Sequence, residues 1–388
     1  MFIEKLATFI YSKKEISLPL LVILLVFLTN KTIYKNSLMK NAPIGVLLVN
    51  LGTPDSPKTP DVRKYLREFL LDGRVIDIAA PLRYGLVNGI IAPFRAPKSA
   101  AEYQKLWTDR GSPLLFHGVD VAEKLQKNLD KHSEKEADKL KREKYIVRLA
   151  MRYQSPALPD VLKELQEMNC KKIIVIPMFP QYASASTGSV LEKVMQLVSK
   201  WQLIPEVSFV DAYPTDEKMI KAFALQGQEL LSKHDYDHYV FSYHGLPQRQ
   251  LKKASSYCKI GTCCNSYNAT NRLCYRAQCY ETSRHLAKEL GITEKDYTVC
   301  FQSRLGSDPW ITPYTDDVIK EMYEKGYRKL IVFVPSFVAD CLETTVEVAE
   351  TYHEAFLEVG GERWDMVSSL NSHPLWIESL EDMVLQRS

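Results

Sequence analysis

The chain has 388 residues, 46% apolar and 25% charged, a globular composition that excludes a disordered tail protein and a small disulfide scaffold. Lys and Arg number 50 against 47 Asp and Glu, so the formal net charge is +3. Residues 1–40 hold six Lys and two Glu, so the positive charge belongs to this stretch, and residues 41–388 carry no basic footprint for nucleic acid.

Residues 1–40 form an N-terminal extension that contains an uninterrupted apolar run, Leu18–Leu28. Lysines precede the run as in a signal peptide, but no cleavage motif follows it, and a membrane-spanning helix needs roughly 20 apolar residues. Two interpretations stay open: a weak membrane anchor, or a start of translation at Met39, just before the first predicted strand. We favour the start at Met39 and a cytoplasmic protein, with peripheral membrane contact left open.

After Pro43, short β-branched and Leu-rich runs alternate with longer amphipathic stretches, a pattern typical of buried parallel strands joined by helices. The predicted strands are Gly45–Asn50, Tyr145–Met151, Lys172–Ile176, Val207–Val210, His238–Tyr243, Thr298–Gln302 and Leu330–Val334. The predicted helices are Asp61–Leu70, Pro159–Met168, Ser189–Lys200, Asp216–Ser232, Ala277–Leu290, Asp316–Lys325 and Glu343–Glu358. We therefore expect an α/β protein with doubly wound parallel sheets.

Two pairs of segments indicate that the chain is built from two related halves. Val46–Pro54 and Tyr239–Pro247 are both apolar strands that run into Gly-x-Pro, and Lys172–Phe179 and Lys329–Phe337 match each other in the same order. The signals lie about 35 residues further apart in the first half, a difference large enough for a helical insertion, which we place at Ala79–Trp107. The predicted domains are 41–205 and 206–388.

Ligands of open α/β sheets bind beyond the carboxyl ends of the strands, so residues at strand ends are candidates for function. His244 follows a predicted strand, and Gly245 and Pro247 turn the chain directly after it. The imidazole therefore lies at a strand end, where a functional role competes with the more common structural role of a histidine.

A second candidate segment connects the Leu330–Val334 strand to the helix that follows it. Asp340 and Glu343 have the spacing of a capping box, which is the simple interpretation. Alternatively, Asp340, Glu343 and Glu347 project from one helical face toward the crevice. A histidine opposite such carboxylates suits transient handling of a divalent metal such as Fe2+, and not a permanent tetrahedral zinc site.

A third candidate is the hydroxyl-rich loop Pro177–Gly188, which includes Tyr182. It is either an anion-binding helix N-terminus or an ordinary capping loop. It lacks the lysine of a P-loop and the chain has no glycine-rich dinucleotide motif, so nucleotide binding has no support. Arg152 and Tyr153 end the preceding strand and offer an anion partner and an aromatic face, although an arginine there is often only solvated.

Six segments together resemble ferrochelatases, the terminal enzymes of haem synthesis, over about Ile44 to Leu380. The segments are Leu47–Pro54, Met151–Tyr153, Phe179–Tyr182, Ser242–Pro247, Phe301–Trp310 and Val338–Glu343. The resemblance implies two Rossmann-like domains that enclose a porphyrin cleft, with His244 and Glu343 as metal-handling residues and Fe2+ as substrate. It also implies that Arg152, Tyr153, Tyr182 and Trp310 lie at the porphyrin.

The function implied is insertion of Fe2+ into protoporphyrin IX, and our hypothesis is that His244 takes the pyrrole protons while Glu343 and Asp340 serve as relay or metal ligands. The apolar residues of the insertion resemble the lip of the cleft, or else form a buried helix face: Leu82, Tyr84, Leu86, Ile90, Ile91 and Phe94. A coproporphyrin ferrochelatase or another tetrapyrrole chelatase is the near alternative. A porphyrin or haem carrier, or an iron–sulfur protein, is the non-enzyme alternative, and the oligomeric state stays open.

Five cysteines lie in a predicted insertion, residues 256–279, that the simplest ferrochelatases lack: Cys258, Cys263, Cys264, Cys274 and Cys279. Disulfides are disfavoured in a cytosolic enzyme, which leaves zinc or an iron–sulfur cluster, each with four ligands. Resemblance to bacterial ferrochelatases with a [2Fe–2S] cluster favours the cluster, on Cys258, Cys263, Cys264 and Cys274. We expect Cys279 to be spare, because it opens a predicted helix. Cys170, Cys300 and Cys341 are expected in the core.

Overall fold

The computed structural model describes residues 42–136, 142–304, 306 and 308–388. The predictions made for residues 1–40, an anchor or a later start, lie outside the described residues. Within those ranges, no helix is both long and apolar enough to cross a membrane.

The first half of the chain forms a parallel sheet of four strands. These strands are β1 (Ile44–Gly52), β2 (Tyr145–Tyr153), β3 (Lys172–Pro177) and β4 (Glu206–Phe209), in the order β2-β1-β3-β4. β1 is buried along almost its whole length, as expected of a strand covered by helices on both faces. The first sheet extends to Phe209, past residue 205 where we placed the end of the N-terminal domain.

The second half repeats this arrangement. Its strands are β5 (His238–His244), β6 (Tyr297–Gln302), β7 (Lys329–Phe333) and β8 (Arg363–Met366), all parallel, in the order β6-β5-β7-β8. In both halves the first strand lies between the second and the third, so strand order reverses at β1/β3 and at β5/β7. The predicted α/β class with two doubly wound parallel sheets is confirmed, and the shared strand order agrees with the paired sequence signals.

Helices connect and cover the strands. They are α1 (Thr59–Leu70), α2 (Ala80–Leu86), α3 (Ala92–Leu106), α4 (Pro113–Lys135), α5 (Leu158–Glu167), α6 (Ser189–Val198), α7 (Glu217–Leu231), α8 (Gln248–Ala254), α9 (Tyr275–Leu290), α10 (Thr315–Glu324), α11 (Tyr352–Glu358) and α12 (Pro374–Leu385). Three π-helical segments precede α3, α6 and α11, namely Val87–Ile91, Ser184–Gly188 and Leu342–Thr351, and a 3₁₀ turn spans Ala269–Asn271.

The predicted insertion, Ala79–Trp107, is the helical stretch α2, π-helix and α3. One face is buried against α1, where Ala96, Ala100 and Tyr103 pack with Val62 and Tyr65. The opposite face carries large apolar side chains into solvent: Leu82, Tyr84, Ile90 and Phe94 are 58–78% exposed. A buried helix face is therefore the wrong interpretation for these four residues, and their role as the lip of a porphyrin cleft stays a prediction.

A single hydrophobic cluster extends across both sheets. The C-terminal helix α12 contributes Trp376, which is fully buried and stacks on Tyr213 with ring centroids 5.8 Å apart. The same helix reaches the first half, where Asn128 of α4 donates a hydrogen bond to Glu381. The two halves are therefore packed together through this cluster, while each sheet also has a hydrophobic cluster of its own.

Candidate active site

The turn after β5 places His244 at the carboxyl end of the strand, where strand order reverses. Gly245 is required there, because a Cβ would lie 2.8 Å from the carbonyl oxygen of Gln302 and 3.1 Å from the Trp310 ring. The rings of Trp310 and Phe337 lie 6.4 Å from the His244 ring, centroid to centroid. The imidazole is thus half-buried between two aromatic side chains in the predicted crevice.

Hydrogen bonds fix the orientation of His244 and its tautomer. Its Nδ1 lies 2.7 Å from the carbonyl oxygen of Gly245, and because a carbonyl only accepts, Nδ1 carries the proton. Nε2 therefore keeps its lone pair and can accept a proton or bind a metal ion. The backbone carbonyl of His244 accepts a hydrogen bond from the Tyr275 hydroxyl at 2.8 Å.

Glu343 and Glu347 come from the π-helix Leu342–Thr351, which follows β7. Because a π-helix has a longer turn than an α-helix, residues four apart lie close to one face. The Oε2 atom of Glu347 accepts a hydrogen bond from Ser303 at 2.6 Å, and its Oε1 accepts one from Tyr352 at 3.0 Å.

Burial raises the pKa of Glu347, and the nearby charge of Glu343 adds to the rise, against an opposing effect of His244. Sequence spacing placed Glu347 in line with Glu343, but we did not predict it as a site residue. The structure brings Glu347, Glu343 and His244 within electrostatic reach of one another.

Glu343 faces the insertion. Its negative charge adds to the effect of burial in raising the pKa of Tyr65 and of Tyr103, which come from α1 and α3. The backbone carbonyl of Glu343 accepts a hydrogen bond from Gln302 at 3.3 Å, which ties the π-helix to the end of β6. Glu343 therefore lies between the second sheet and the helices that carry the apolar lip.

Asp340 is held apart from this group, contrary to the expected line of three carboxylates. It precedes the helix, and its oxygens accept hydrogen bonds from the backbone N–H of Ser369 at 3.1 Å and from the Asn371 amide at 2.7 Å. The helix is instead capped by Cys341 and Thr344, so the predicted capping box of Asp340 with Glu343 is wrong. The i, i+3, i+7 argument fails because the helix starts later and is π-helical.

Arg152 and Tyr153 both donate hydrogen bonds to Asp72. The guanidinium of Arg152 donates to Asp72 Oδ2 at 2.6 Å and to Ser189 Oγ at 2.8 Å, and the Tyr153 hydroxyl donates to Asp72 at 2.9 Å. Tyr153 is 1% exposed, so its ring face is covered. Hydrogen bonds from Ser189 and its neighbours keep the pKa of Asp72 low despite burial, so the carboxylate stays charged. The contact of Arg152 and Tyr153 with porphyrin stays a prediction.

A cavity of about 900 Å³ lies between the two halves beside this crevice. Arg74, Tyr182 and Ser184 line it from the first half, and Leu246 and Tyr275 line it from the second. Tyr182 thus lines this cavity, whereas Trp310 lies next to His244, and the contact of both with porphyrin stays a prediction. Arg74 also donates a hydrogen bond to Ser184 at 3.0 Å, which orders the hydroxyl-rich loop.

Comparison with known proteins identifies the family. A family model described as Ferrochelatase matches residues 43–388, nearly the whole described chain. The chain belongs to the ferrochelatase family. Ferrochelatase from Legionella pneumophila (strain Paris) is 41% identical over 340 residues, which is 88% of this chain and 98% of the relative.

A second ferrochelatase, from Coxiella burnetii (strain Dugway 5J108-111), is also 41% identical, over 88% of this chain and 93% of the relative. Among solved structures, SirB from Bacillus subtilis with Fe3+ is similar with a TM-score of 0.44 and 11% identity, covering 89% of this chain and 95% of that one. The fold of this ferrochelatase family member is established by its own two sheets.

The cysteine loop, residues 256–274, precedes α9 in this family member and borders the same cavity through Cys258, Cys263 and Cys274. Burial, together with the nearby thiols of Cys263 and Cys274, raises the pKa of Cys258 to about 11. Burial raises the pKa of Cys274 as well, with the thiols of Cys264 and Cys263 contributing. The thiols of Cys258, Cys263, Cys264 and Cys274 therefore lie within electrostatic reach of one another, and their binding of an iron–sulfur cluster stays a prediction.

Over the described ranges, no three or more His, Cys, Asp and Glu side chains are arranged as a metal site. Cys279 lies on α9, fully buried beside Tyr275, and burial raises the pKa of its thiol. Cys279 therefore lies on the helix that follows the loop, and the nearby Cys274 thiol adds to the rise in its pKa.

Proposed function

We propose that the protein inserts Fe2+ into protoporphyrin IX and releases protohaem. The observation that carries the proposal is that His244, whose Nδ1 is bonded to the Gly245 carbonyl, lies within electrostatic reach of Glu347, which is likewise within reach of Glu343, in a member of the ferrochelatase family. Metallation requires a base for two pyrrole protons and ligands that replace water on the entering iron, and this group supplies both.

His244 accepts a pyrrole proton at Nε2 in the proposed reaction. The Gly245 carbonyl fixes the tautomer, and it stabilises the imidazolium that forms because Nδ1–H continues to donate to it. Trp310 and Phe337 flank the ring and restrict water around it. The hydrogen bond to Gly245 and the two flanking rings therefore both favour proton transfer at Nε2.

Glu343 and Glu347 carry protons away from His244 and provide oxygen ligands to Fe2+ as it enters. Burial raises the pKa of Glu347, so this carboxyl takes up a proton more readily than an exposed glutamate does. Ser303 and Tyr352 hold the carboxyl in place through their hydroxyls. We keep Asp340 in a supporting role at the helix start, where it binds Asn371 and not the crevice.

Porphyrin binds between the aromatic side chains that flank His244 in the second half and the helical insertion of the first half. Tyr182 and Trp310 offer ring faces to the macrocycle, and the exposed side chains of Leu82, Ile90 and Phe94 form an apolar entrance. We also propose that Arg152 and Tyr153 lie at the porphyrin. Asp72 and Ser189 must release the Arg152 guanidinium before it can pair with a propionate.

The cysteine loop holds a [2Fe–2S] cluster on Cys258, Cys263, Cys264 and Cys274 in this proposal. All four cysteines are free thiols, and they lie within electrostatic reach of one another in one loop, which supports the proposal. When bound, such a cluster supplies one-electron redox chemistry. The loop contacts the active site through α9, since Tyr275 donates to the His244 carbonyl.

We further propose two domains, joined by the shared hydrophobic cluster and divided after Phe209 and not at residue 205, because β4 belongs to the first sheet. We also propose a cytoplasmic location and peripheral contact with a membrane. The large apolar side chains that α2 and α3 expose support the membrane contact. These proposals follow from the family and from the exposed lip.

An anaerobic metallation assay tests the function. The protein is mixed with Fe2+ and either protoporphyrin IX or coproporphyrin, and metalloporphyrin formation is followed by absorbance. Faster turnover with protoporphyrin supports the proposal, whereas preference for coproporphyrin assigns the alternative substrate. Tight porphyrin binding without turnover would show a carrier.

Serine variants test the cluster. We expect wild-type protein to show visible absorption and bound iron, and each of C258S, C263S, C264S and C274S to lose both. The variant C279A serves as the matched control, because Cys279 is fully buried on α9 and is not one of the four proposed ligands, and it should retain iron. A colourless, iron-free wild-type protein removes the cluster from the proposal.

A further inference from the structure

His244 lies beyond the end of the hydrogen-bonded ladder between β5 and β7. The register of these two strands ends at Phe241, three residues before His244. Backbone groups that lie away from water need partners even outside a ladder, and here side chains supply them. The backbone N–H of His244 donates to Ser336 Oγ at 3.4 Å, and its carbonyl accepts a hydrogen bond from the Tyr275 hydroxyl at 2.8 Å.

The peptide bond that joins His244 to Gly245 is held from two sides. Its N–H, from Gly245, donates to the Gln302 carbonyl at the end of β6 at 2.8 Å, and its carbonyl is held by Tyr275 of α9. A glycine rotates more freely than other residues, so these hydrogen bonds decide where the carbonyl of Gly245 itself points. That carbonyl accepts the Nδ1 proton of His244 at 2.7 Å. The tautomer of the imidazole therefore depends on the peptide bond that Tyr275 fixes.

Tyr275 is itself held in place by its surroundings. It is the first residue of α9 and is 7% exposed, and its ring belongs to the hydrophobic cluster that extends across both sheets. Burial raises the pKa of its hydroxyl well above the usual value of a tyrosine. The hydroxyl therefore keeps its proton and remains a donor to the His244 carbonyl.

We propose that Tyr275 is a positioning residue for His244: its hydroxyl holds the His244–Gly245 peptide bond so that the Gly245 carbonyl keeps the proton on Nδ1 and leaves Nε2 unprotonated. The inference deepens the proposed function and rests on it, because an imidazole that accepts pyrrole protons must keep one nitrogen free. Without the hydroxyl, one side of the peptide bond is released and the imidazole exchanges between its two tautomers. Only part of the molecules then present a basic Nε2, so Tyr275 acts through His244.

Tyr280 provides a matched control on the same helix. Its hydroxyl accepts a hydrogen bond from Arg276 at 2.9 Å, and its ring lies 6.4 Å from the Phe301 ring, centroid to centroid. Tyr280→Phe therefore removes one hydroxyl and one hydrogen bond from α9, as Tyr275→Phe does, but it leaves the contact with the His244 carbonyl in place. A difference between the two variants is assigned to that contact, and not to a general loosening of the helix.

The first test measures the tautomer directly, by nuclear magnetic resonance of protein labelled with nitrogen-15 in its histidines. At about pH 8 an ordinary histidine is neutral, and the variant His244→Ala identifies the His244 signals. We expect wild-type and Tyr280→Phe proteins to carry the proton on Nδ1, and Tyr275→Phe to show a mixture of both tautomers. Thermal melting verifies that each variant is folded. A folded Tyr275→Phe protein with the wild-type tautomer overturns the positioning role.

The second test separates a role through His244 from general damage. In the metallation assay we expect Tyr275→Phe to lower kcat about tenfold, the upper range for one hydrogen bond, with the KM for porphyrin unchanged. In the His244→Ala background the same substitution should leave the residual rate unchanged, because the group through which Tyr275 acts is gone. A wild-type kcat in Tyr275→Phe, or a tenfold loss that persists without His244, overturns the role. A wild-type protein without turnover overturns the proposed function, whereas the tautomer measurement still decides whether Tyr275 orients His244.

Discussion

The properties of His244 follow from groups that lie next to it in space. Its Nδ1 proton is committed to the Gly245 carbonyl, so Nε2 is the basic nitrogen. We expect His244→Ala to fold and bind porphyrin but to lose metallation by about 10²- to 10⁴-fold, the usual contribution of a general base. Initial rates of Fe2+ insertion, with porphyrin affinity measured in parallel, check this.

His285 provides the control for that substitution, because it lies on α9 and pairs with Glu281 at 3.4 Å, in the i, i+4 relation. His285→Ala should leave the rate unchanged. Near-normal turnover in His244→Ala would contradict the proposed role, and loss of porphyrin binding in the same variant would show a structural one.

His238, at the start of β5, is a histidine of a different kind. It is 4% exposed and stacks on Tyr327 with ring centroids 4.6 Å apart, and burial lowers its pKa to about 4. The folded protein therefore binds fewer protons than the unfolded chain between about pH 6.5 and 4. His238 thus contributes stability above pH 6.5 that is lost as the pH falls through this range.

We expect the free energy of unfolding to fall by about 3 kcal/mol between pH 7 and 4 on account of this one group. The variant His238→Gln retains a donor for Thr298, which lies 2.9 Å from His238 Nε2, and removes the titration. Urea unfolding at several pH values should give a flatter profile for the variant. Equal slopes for both proteins would contradict the assignment.

At the scale of elements, a strand is easier to predict from the sequence when it is buried on both faces. β3 and β7 are continuous apolar runs, and their predicted limits agree with the structure within one residue. β8, Arg363–Met366, is half-exposed at the edge of its sheet and has no such run. The π-helix has the same apolar spacing as an ordinary helix, so its longer turn is hidden from sequence reasoning.

The residues of the site likewise divide into those that a local sequence pattern predicts and those that it does not. His244 was predictable because it follows a strand and precedes a turn. The properties of Glu347 depend on its hydrogen bond from Ser303 and on the charge of His244, both of which come from elsewhere in the chain. The pairing of Arg152 with Asp72 joins residues 80 apart along the chain, and no local pattern indicates it.

The turn between β5 and α8 depends on the absence of a side chain at Gly245. A Cβ would lie 2.8 Å from the Gln302 carbonyl, so Gly245→Ala must displace the backbone of β6 or of the turn. We expect it to lower the free energy of unfolding by about 1–3 kcal/mol and to reduce turnover, because His244 moves with the turn. Chemical denaturation and the metallation assay measure the two effects.

Gly89→Ala is the control for this substitution, because Gly89 lies in a helical segment with open space around its Cα. It should leave stability unchanged or raise it slightly, since alanine restricts the unfolded chain. If Gly245→Ala behaves in the same way, the turn tolerates a side chain and the argument from close approach is wrong.

At the scale of the whole molecule, the two sheets are joined by one hydrophobic cluster that α12 completes. Trp376 is its largest fully buried side chain, and Lys124 of α4 also reaches the segment before α12, with its ammonium 2.7 Å from Ser372 Oγ. We therefore expect both halves to unfold in a single transition, although each half has its own sheet.

Trp376→Ala tests this coupling. It should lower the free energy of unfolding by about 3–5 kcal/mol, the usual cost of truncating a buried tryptophan, and calorimetry should still show one transition at a lower temperature. The control Leu203→Ala removes a side chain that is 84% exposed, so its effect should stay within about 0.5 kcal/mol. Two separate transitions, with only one shifted by Trp376→Ala, would show that the halves are independent and that the crevice between their strand ends is not held by a common core.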